Sequence, residues 1–388
     1  MQFTYDILTR IPTAEWVLLA VLAAVWLYQL CFWTVCMAAV LRRRRRLREG
    51  RVVLPIRRPP VTVVVCARNE GVNLEAYLQM LLTQDYPEYE VIVVNDASED
   101  NTREVVEHYQ HRYPNLRMTF VPQEARIRSS KKLALTLAVK AARYDHLLLT
   151  DADCRPESVH WIDEMMHGFT DGVEVVLGFG AYFEEPGCLN RLIQYDTLFN
   201  GLLYMGRALT GHPYMGVGRN LAYRKDTFFG HKGFAGLLDQ RAGDDDLFVN
   251  KVATRRNVNV AVTTDSLTWS VPKHRWKDWL QQKARHLSVS PRYKASSKLM
   301  LTFEPFTRAL FYGMIIAIGC IASWPVQAAA GVLLLTRWLW QSIILTRSAH
   351  AFGLRGFGLT VLWYDICLPL LNLLLMLHHK LFRRHIRW

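Results

Sequence analysis

From Val17 to Leu41, 25 consecutive positions, the chain carries no charged residue. That exceeds the roughly 20 residues an α-helix needs to cross the hydrocarbon of a bilayer, so a membrane-spanning helix is the first element the sequence predicts. The stretch is too long for the core of a cleavable signal peptide, and its positive charges follow it rather than precede it. Those charges come at once, as Arg42-Arg43-Arg44-Arg45-Arg46-Leu47-Arg48, whereas only Asp6, Arg10 and Glu15 lie before the run. In a soluble protein such a cluster suggests nucleic-acid contact. Beside a span it reads as a stop and an anionic-lipid contact, so a membrane partner is expected and a nucleic acid is not. By the positive-inside rule the arginine side faces the cytosol. The net charge of +13 is then mostly a statement about the membrane.

Three more apolar stretches close the chain: Phe306 to Trp324, Val326 to Leu345 with Arg337 inside it, and Phe357 to Leu377 with Asp365 inside it. Charges at that depth are costly, so Arg337 and Asp365 are partners, a functional pair, or groups that snorkel to the interface. Three full crossings would carry the basic tail His378-His379-Lys380-Leu381-Phe382-Arg383-Arg384 outside, against the charge rule. One stretch is therefore expected to be interfacial or re-entrant. The seven cysteines show no CxxC or Cys/His pair of metal-binding spacing and read as reduced packing residues.

Between these apolar ends lies a block with the texture of a soluble domain. Val61 to Cys66, Glu90 to Val94, Arg117 to Val121 and His146 to Thr150 read as strands, separated by helical spacing over Asn73 to Leu82, Asn101 to Tyr109 and Lys132 to Ala142. Alternating strands and helices predict an α/β fold: a Rossmann-like, mostly parallel sheet covered on both faces, with ligands beyond the carboxyl ends of the strands. That edge would gather Ala67-Arg68-Asn69-Glu70, Asn95-Asp96-Ala97-Ser98-Glu99-Asp100 and Asp151-Ala152-Asp153. Residues i and i+2 of a strand project to one side, so Asp151 and Asp153 can converge on one hard cation, and that ion can neutralise a diphosphate. Singly, each cluster also suits a helix cap or a surface turn.

Here the chain resembles the family 2 glycosyltransferases, inverting membrane enzymes of the GT-A fold such as the hyaluronan and cellulose synthase-type and ceramide glucosyltransferase-type enzymes. The resemblance rests on Val61 to Glu70, on Thr83-Gln84-Asp85-Tyr86-Pro87, and on Glu90 to Thr102, in the family's order and spacing. It implies a nucleotide-diphospho-sugar donor, most naturally UDP-linked. Ala67, Asn69, Glu70 and Asp96 would then hold the nucleoside, with the Asp96 carboxylate placed for the N3 proton of uracil. Lys131 or Lys132 matches the family's basic residue near the nucleotide, with Lys132 preferred, and Asp151 and Asp153 match its DxD, implying Mg²⁺ or Mn²⁺ with Asp151 also near the donor.

Further along stands Gly243-Asp244-Asp245-Asp246-Leu247-Phe248-Val249-Asn250. Acids at a helix start suit its dipole, but transfer with inversion also needs one carboxylate to take the acceptor's hydroxyl proton. Adjacent like charges raise the proton affinity of one of them. By comparison with processive synthases, which carry a similar Gly-Asp-Asp followed at the same distance by Asn, Asp245 would be the base and Asp244 the second choice.

Trp276 to His286 reads as a basic amphipathic helix and looks like the family's interfacial QxxRW segment. Gln282 and Arg285 are in place, while His286 stands where Trp is expected. Arg285 would offer a fork to the leaving diphosphate, and His286 would contact acceptor or diphosphate, or simply pack. The missing Trp argues for single transfer over polymerisation. Gly216 to Arg224 resembles an acceptor-side segment or a plain turn.

The expected organisation is a first span and basic stop over 1–50, a GT-A catalytic domain over 51–274, interfacial helices over 275–305, and spans with a basic tail over 306–388. The expected function is an inverting transferase of the inner membrane, its catalytic domain cytosolic, passing a sugar to a lipid or lipid-linked acceptor. The alternatives are a processive polysaccharide synthase coupled to export, or a membrane scaffold that has lost its chemistry.

Overall fold

The computed structural model describes residues 11–52, 58–122, 130–238, 240 and 242–381. The uncharged run forms α1 (Thr13–Phe32), one π-helical turn (Trp33–Met37) and α2 (Ala39–Arg48). A π turn leaves carbonyls without regular helical partners. Arg42 reaches back to two of them, those of Thr34 and of Val35 at 2.6 Å. Arg44 bonds the Val262 carbonyl and Thr264 Oγ1 at 3.0 Å. Part of the arginine run is thus bonded within the protein, and Arg45, Arg46 and Arg48 are left exposed.

The alternating block becomes β1 (Val61–Ala67), α3 (Gly71–Leu82), β2 (Tyr89–Asn95), α4 (Thr102–Gln110), β3 (Leu116–Phe120), α5 (Ser130–Ala141) and β4 (His146–Asp151), each within two residues of its expected span. Val61, Val63 and Val65 face Leu74, Leu78 and Leu81 of α3, whereas Val64 and Ile92 face Ala134, Leu135 and Ala138 of α5. Burial of both faces explains why these strands are continuously apolar rather than alternating.

After β4 come β5 (Cys154–Pro156), α6 (Trp161–Met166), β6 (Val175–Leu177), β7 (Gly180–Tyr182), α7 (Cys188–Leu209), β8 (Leu221–Arg224), α8 (Lys225–Gly230), α9 (Asp246–Val252), β9 (Val258–Val260), β10 (Thr268–Ser270) and α10 (Trp276–Leu287). The main sheet runs β3-β2-β1-β4-β8-β6-β9, and a smaller one runs β5-β10-β7. β1 to β4 are mutually parallel, while β8 is antiparallel to both β4 and β6. The fold is therefore mixed α/β with a mostly parallel central sheet. Its register sets Ala67 beside Asn95 and Cys66 beside Asp151, so the three polar clusters share one sheet edge.

The chain then forms α11 (Ala295–Ile321), α12 (Trp324–Ala351) and α13 (Thr360–Leu381). With the first rod, four helices among the described residues are long and apolar enough to cross a membrane. α11 begins at Ala295 rather than near Phe306, so residues 295–305, expected among the interfacial helices, are continuous with a helix long and apolar enough to cross a membrane, and Pro305 sits inside it. The side chains of the basic tail from His378 onward lie outside the described residues.

Arg337 and Asp365 are partners: Nη1 lies 2.7 Å from Oδ2, and both side chains are 0% exposed, which rules out snorkelling. Arg308 adds 3.1 Å to the other oxygen, and Glu304 pairs with Arg308 one turn away. Gln341 at 2.8 Å and Tyr312 at 2.6 Å complete the shell of Asp365. Two cations and two carboxylates thus cancel inside the bundle. At its opposite end the Glu15 carboxylate accepts from the Ser323 amide at 2.8 Å, tying the start of α1 to the turn between α11 and α12.

Candidate active site

The cleft opens at the shared sheet edge. Asn69 takes a left-handed backbone with φ 56°. Its amide donates to Ser98 Oγ at 3.0 Å and its Oδ1 accepts from Glu99 at 2.8 Å, so the loops after β1 and β2 lock together. The Ala67 carbonyl accepts from the Asp96 amide at 2.8 Å, and Asp96 is largely buried. Glu70 accepts from Asn73 Nδ2 at 2.6 Å. Burial raises its proton affinity, and the carboxylates of Asp153 and Asp151 add to the rise, which sets Glu70 in the same electrostatic neighbourhood.

Asp151 ends β4 and Asp153 follows across the turn. Lys131, on the first turn of α5, lies 2.8 Å from Asp151 Oδ1 and 3.3 Å from Asp244 Oδ2. One ammonium thereby joins the two acidic motifs. Although burial opposes it, Lys131 lowers the proton affinity of Asp151, with lesser help from Arg219 and Arg285. Burial and the adjacent Asp151 raise that of Asp153. Lys132, preferred on sequence grounds, points elsewhere: its ammonium is buried and donates to the carbonyls of Gln240 and Ala242, each at 2.7 Å. Neighbouring residues on a helix differ by about 100° in direction, so only one of the two lysines reaches the acids.

The three adjacent aspartates separate. Asp245 caps α9, accepting from the Asp246 amide at 2.7 Å and from the Gly218 amide at 2.7 Å. A Cβ on Gly218 would sit 3.4 Å from that carboxylate, an ordinary contact, so what position 218 contributes is its amide. Burial, then the charge of Asp244, raises the Asp245 pKa to about 6. Asp246 turns inward to the Tyr293 hydroxyl at 2.9 Å. Asn250 accepts from the Lys294 amide at 2.8 Å and donates to the Tyr214 carbonyl at 2.7 Å, fixing α9 to the start of α11.

α10 stands beside the cleft and packs against α13. Gln282 Nε2 donates to the Tyr182 hydroxyl at 3.2 Å, and Arg285 and His286 are exposed in the same turn. Arg219 stacks on Tyr182 at 4.2 Å and donates to the carbonyls of Ala181 and Gly180 at 3.1 and 2.9 Å, bracing the smaller sheet. Local pattern carries no sign of the pair that holds α10 in place: Lys283 Nζ lies 2.7 Å from both oxygens of Asp196 on α7. A lysine on a basic amphipathic helix looks like surface charge, and its partner is 87 positions away. Lys283→Met is expected to lower kcat/KM for the reaction of this cleft by roughly 10- to 100-fold through displacement of α10 from its edge. Lys283→Arg, which keeps the pair, is expected to restore most of it. Steady-state kinetics on both variants check this.

Asp151 and Asp153 offer two hard oxygen ligands, and among the described residues no group of three His, Cys, Asp or Glu side chains forms a cage of protein ligands alone. Two carboxylates fit the mode in which Mg²⁺ or Mn²⁺ takes its remaining ligands from substrate phosphates and water.

Comparisons with known proteins bear on the family and the fold. The chain is similar to a probable glycosyltransferase, YdaM, of Bacillus subtilis (strain 168), 22% identical over 365 residues and covering 85% of this chain and 86% of that one. It is 30% identical over 93 residues to a poly-beta-1,6-N-acetyl-D-glucosamine synthase of Staphylococcus epidermidis, a match spanning 24% of this chain and only 21% of the synthase. Among solved structures it is similar to the mannosyltransferase PcManGT of Pyrobaculum calidifontis in complex with GDP-Man and Mn²⁺, with a TM-score of 0.57 and 20% identity over 94% of this chain and 100% of that one. At that identity the likeness shows the fold, which is GT-A. The motifs resemble family 2, but the family model that matches, over residues 17–388, is glycosyl transferase family 21, and the chain belongs to that family.

Proposed function

We propose that this glycosyltransferase moves a sugar from a nucleotide-diphospho-sugar, UDP-linked, to a hydroxyl of a membrane-associated lipid acceptor by inverting single displacement. The observation that carries the reading is Lys131, whose bonds to Asp151 and Asp244 bring both acidic motifs to one cleft. Ala67, Asn69, Glu70 and Asp96 cradle the nucleoside. Asp151 and Asp153 hold Mg²⁺ or Mn²⁺, which when bound supplies Lewis-acid stabilisation of the departing diphosphate. Asp245 takes the acceptor's hydroxyl proton as that oxygen bonds to the anomeric carbon and the bond from carbon to diphosphate oxygen breaks. Lys131 and Arg285 offset the charge left on the diphosphate, with Gln282 and His286 lining the same mouth.

The catalytic domain faces the cytosol at the inner membrane in this reading. Its support is that the arginine-rich end of the first rod is bonded to the domain, as Arg44 to Thr264. The domain therefore lies on the side that the positive-inside rule assigns to the cytosol. The mouth beside α10 and the apolar bundle suit an amphiphilic acceptor.

The deciding experiment incubates purified protein in detergent with Mn²⁺, a panel of nucleotide sugars and lipid extracts, and records the nucleotide diphosphate released. Release of UDP with a one-sugar lipid product is expected. A long polymer would point instead to a processive synthase, and silence with every donor and extract would sink the enzyme reading.

The base also sets a pH dependence. Asp245 must be unprotonated to accept a proton, so kcat/KM is expected to rise with pH through about 6. Asp244→Asn removes one of the charges that lift Asp245, so the midpoint is expected to move down. A pH–rate profile of both proteins is the check.

A further inference from the structure

A second polar cavity lies away from the acidic cleft, where the chain leaving β7 and the start of α7 meet the loop between α12 and α13. It encloses about 450 Å³ and is lined by Glu184, Glu185, Arg191, Gln194, Arg355 and Phe357 among others. Its floor is built rather than incidental. Arg191 stacks over Phe357 at 4.1 Å and donates to the carbonyls of Arg355, at 3.0 Å, and Gly356. Gln194 is 1% exposed, and its Nε2 has no hydrogen-bond partner. A buried amide N–H with nothing to donate to is unfavourable, so the position favours an incoming oxygen acceptor.

The walls carry both signs. Arg191, Arg355 and the Gln194 amide present donors suited to a phosphate. Glu184 and Glu185 present acceptors suited to an ammonium, and His274, whose Nδ1 lies 3.5 Å from Glu185, is the further titratable group beside them. A simple anion would meet the two carboxylates and a simple cation the two guanidiniums, so the match is to a molecule bearing both charges.

The surroundings say where such a molecule comes from. Gly358 and Thr360 of the cavity wall stand at the start of α13, a helix apolar enough to cross a bilayer. Beginning in that same turn, Leu359, Trp363, Ile366 and Leu370 are 84%, 68%, 39% and 56% exposed. Their spacing of three and four places them on one exposed apolar stripe of the helix, a surface suited to acyl chains.

We propose that this cavity binds the zwitterionic headgroup of an aminophospholipid, phosphate toward Arg191, Arg355 and Gln194 and primary ammonium toward Glu184 and Glu185, with its acyl chains along the exposed stripe of α13. The carboxylates make the preference specific to a primary amine, because a trimethylated amine has no N–H to donate.

The test needs no sugar transfer, so it succeeds or fails independently of the proposed reaction. Delipidated full-length protein is offered phosphatidylethanolamine, phosphatidylcholine, phosphatidylglycerol or diacylglycerol, and the retained lipid is measured by native mass spectrometry. Wild-type protein is expected to retain phosphatidylethanolamine at least about ten-fold over the other three. The paired change Glu184→Gln with Glu185→Gln is expected to erase the preference over phosphatidylcholine, and Arg355→Gln to weaken all three phospholipids. Glu184 and Arg355 are exposed rim residues, so these proteins remain folded, as their melting temperatures would verify. Equal retention of the amine and choline lipids by wild type, retention of diacylglycerol as strongly as phosphatidylethanolamine, or a preference that survives the glutamate changes would each overturn the assignment.

Discussion

Asp245→Asn is expected to lower kcat by about 10²- to 10⁴-fold while the donor still binds within about twofold of wild type. Its capping role and its proposed role as base are separable by choice of substituent. Asp245 caps α9 and accepts two backbone amides, and asparagine is as good a cap as aspartate. The amide keeps one of the two acceptor bonds yet cannot take a proton from an acceptor hydroxyl. Alanine would lose the cap as well and confound rate with stability, at about 1 kcal/mol. Asp246→Asn is the matched control: that carboxylate is spent on the Tyr293 hydroxyl, so its loss is expected to affect folding more than rate. Initial rates, donor binding by calorimetry and melting temperatures, taken together on both variants, separate the possibilities. A rate for Asp245→Asn within a few fold of wild type would remove the general base from the mechanism, and with it the clearest difference between an enzyme and a scaffold of the same fold.

Asp365→Asn is expected to cost the membrane bundle roughly 3–5 kcal/mol, because it leaves buried cations without their counter-charge. Asp365 holds Arg337 at 2.7 Å and Arg308 at 3.1 Å, and it accepts further bonds from Gln341 and Tyr312. The change keeps the shape of the side chain and removes only its charge. Arg308 retains Glu304, but Arg337 retains no anion within ion-pairing distance among the described residues. The double variant Asp365→Asn with Arg337→Gln is therefore expected to recover part of the loss, since it deletes the orphaned cation too. Thermal unfolding in detergent measures both. Equal melting temperatures for wild type and Asp365→Asn would mean that this network contributes nothing to stability.

The extent to which the sequence was legible follows from range. Each strand and helix of the first half was readable because its signal, an apolar run or a three-to-four spacing, lies within about ten consecutive residues. The convergence of Ala67, Asp96 and Asp151 was readable too, since parallel strands joined by helices must end on one edge, and the register bears this out. The antiparallel β8 and the smaller sheet were not, because strands of three or four residues carry too little pattern to be told from turns.

In the cleft, local pattern reached the acids but not their company. Lys131 and Lys132 are equivalent as sequence, and the turn of α5 directs the second to the carbonyls of Gln240 and Ala242 while aiming the first at Asp151 and Asp244. The Lys283–Asp196 clamp was invisible because two ordinary charges far apart in the chain become an ion pair only when α10 lies on α7. In the membrane, the sequence named Arg337 and Asp365 as charges in need of an explanation. Only the packing of α12 on α13 made them partners, with Arg308 and Glu304 completing a neutral set. Residue types and short spacings thus determined what kinds of element this protein contains and which chemical groups it brings to the sheet edge. The tertiary structure decided which of those groups meet, because charge pairing depends on distances of a few ångströms between surfaces that the chain order leaves far apart.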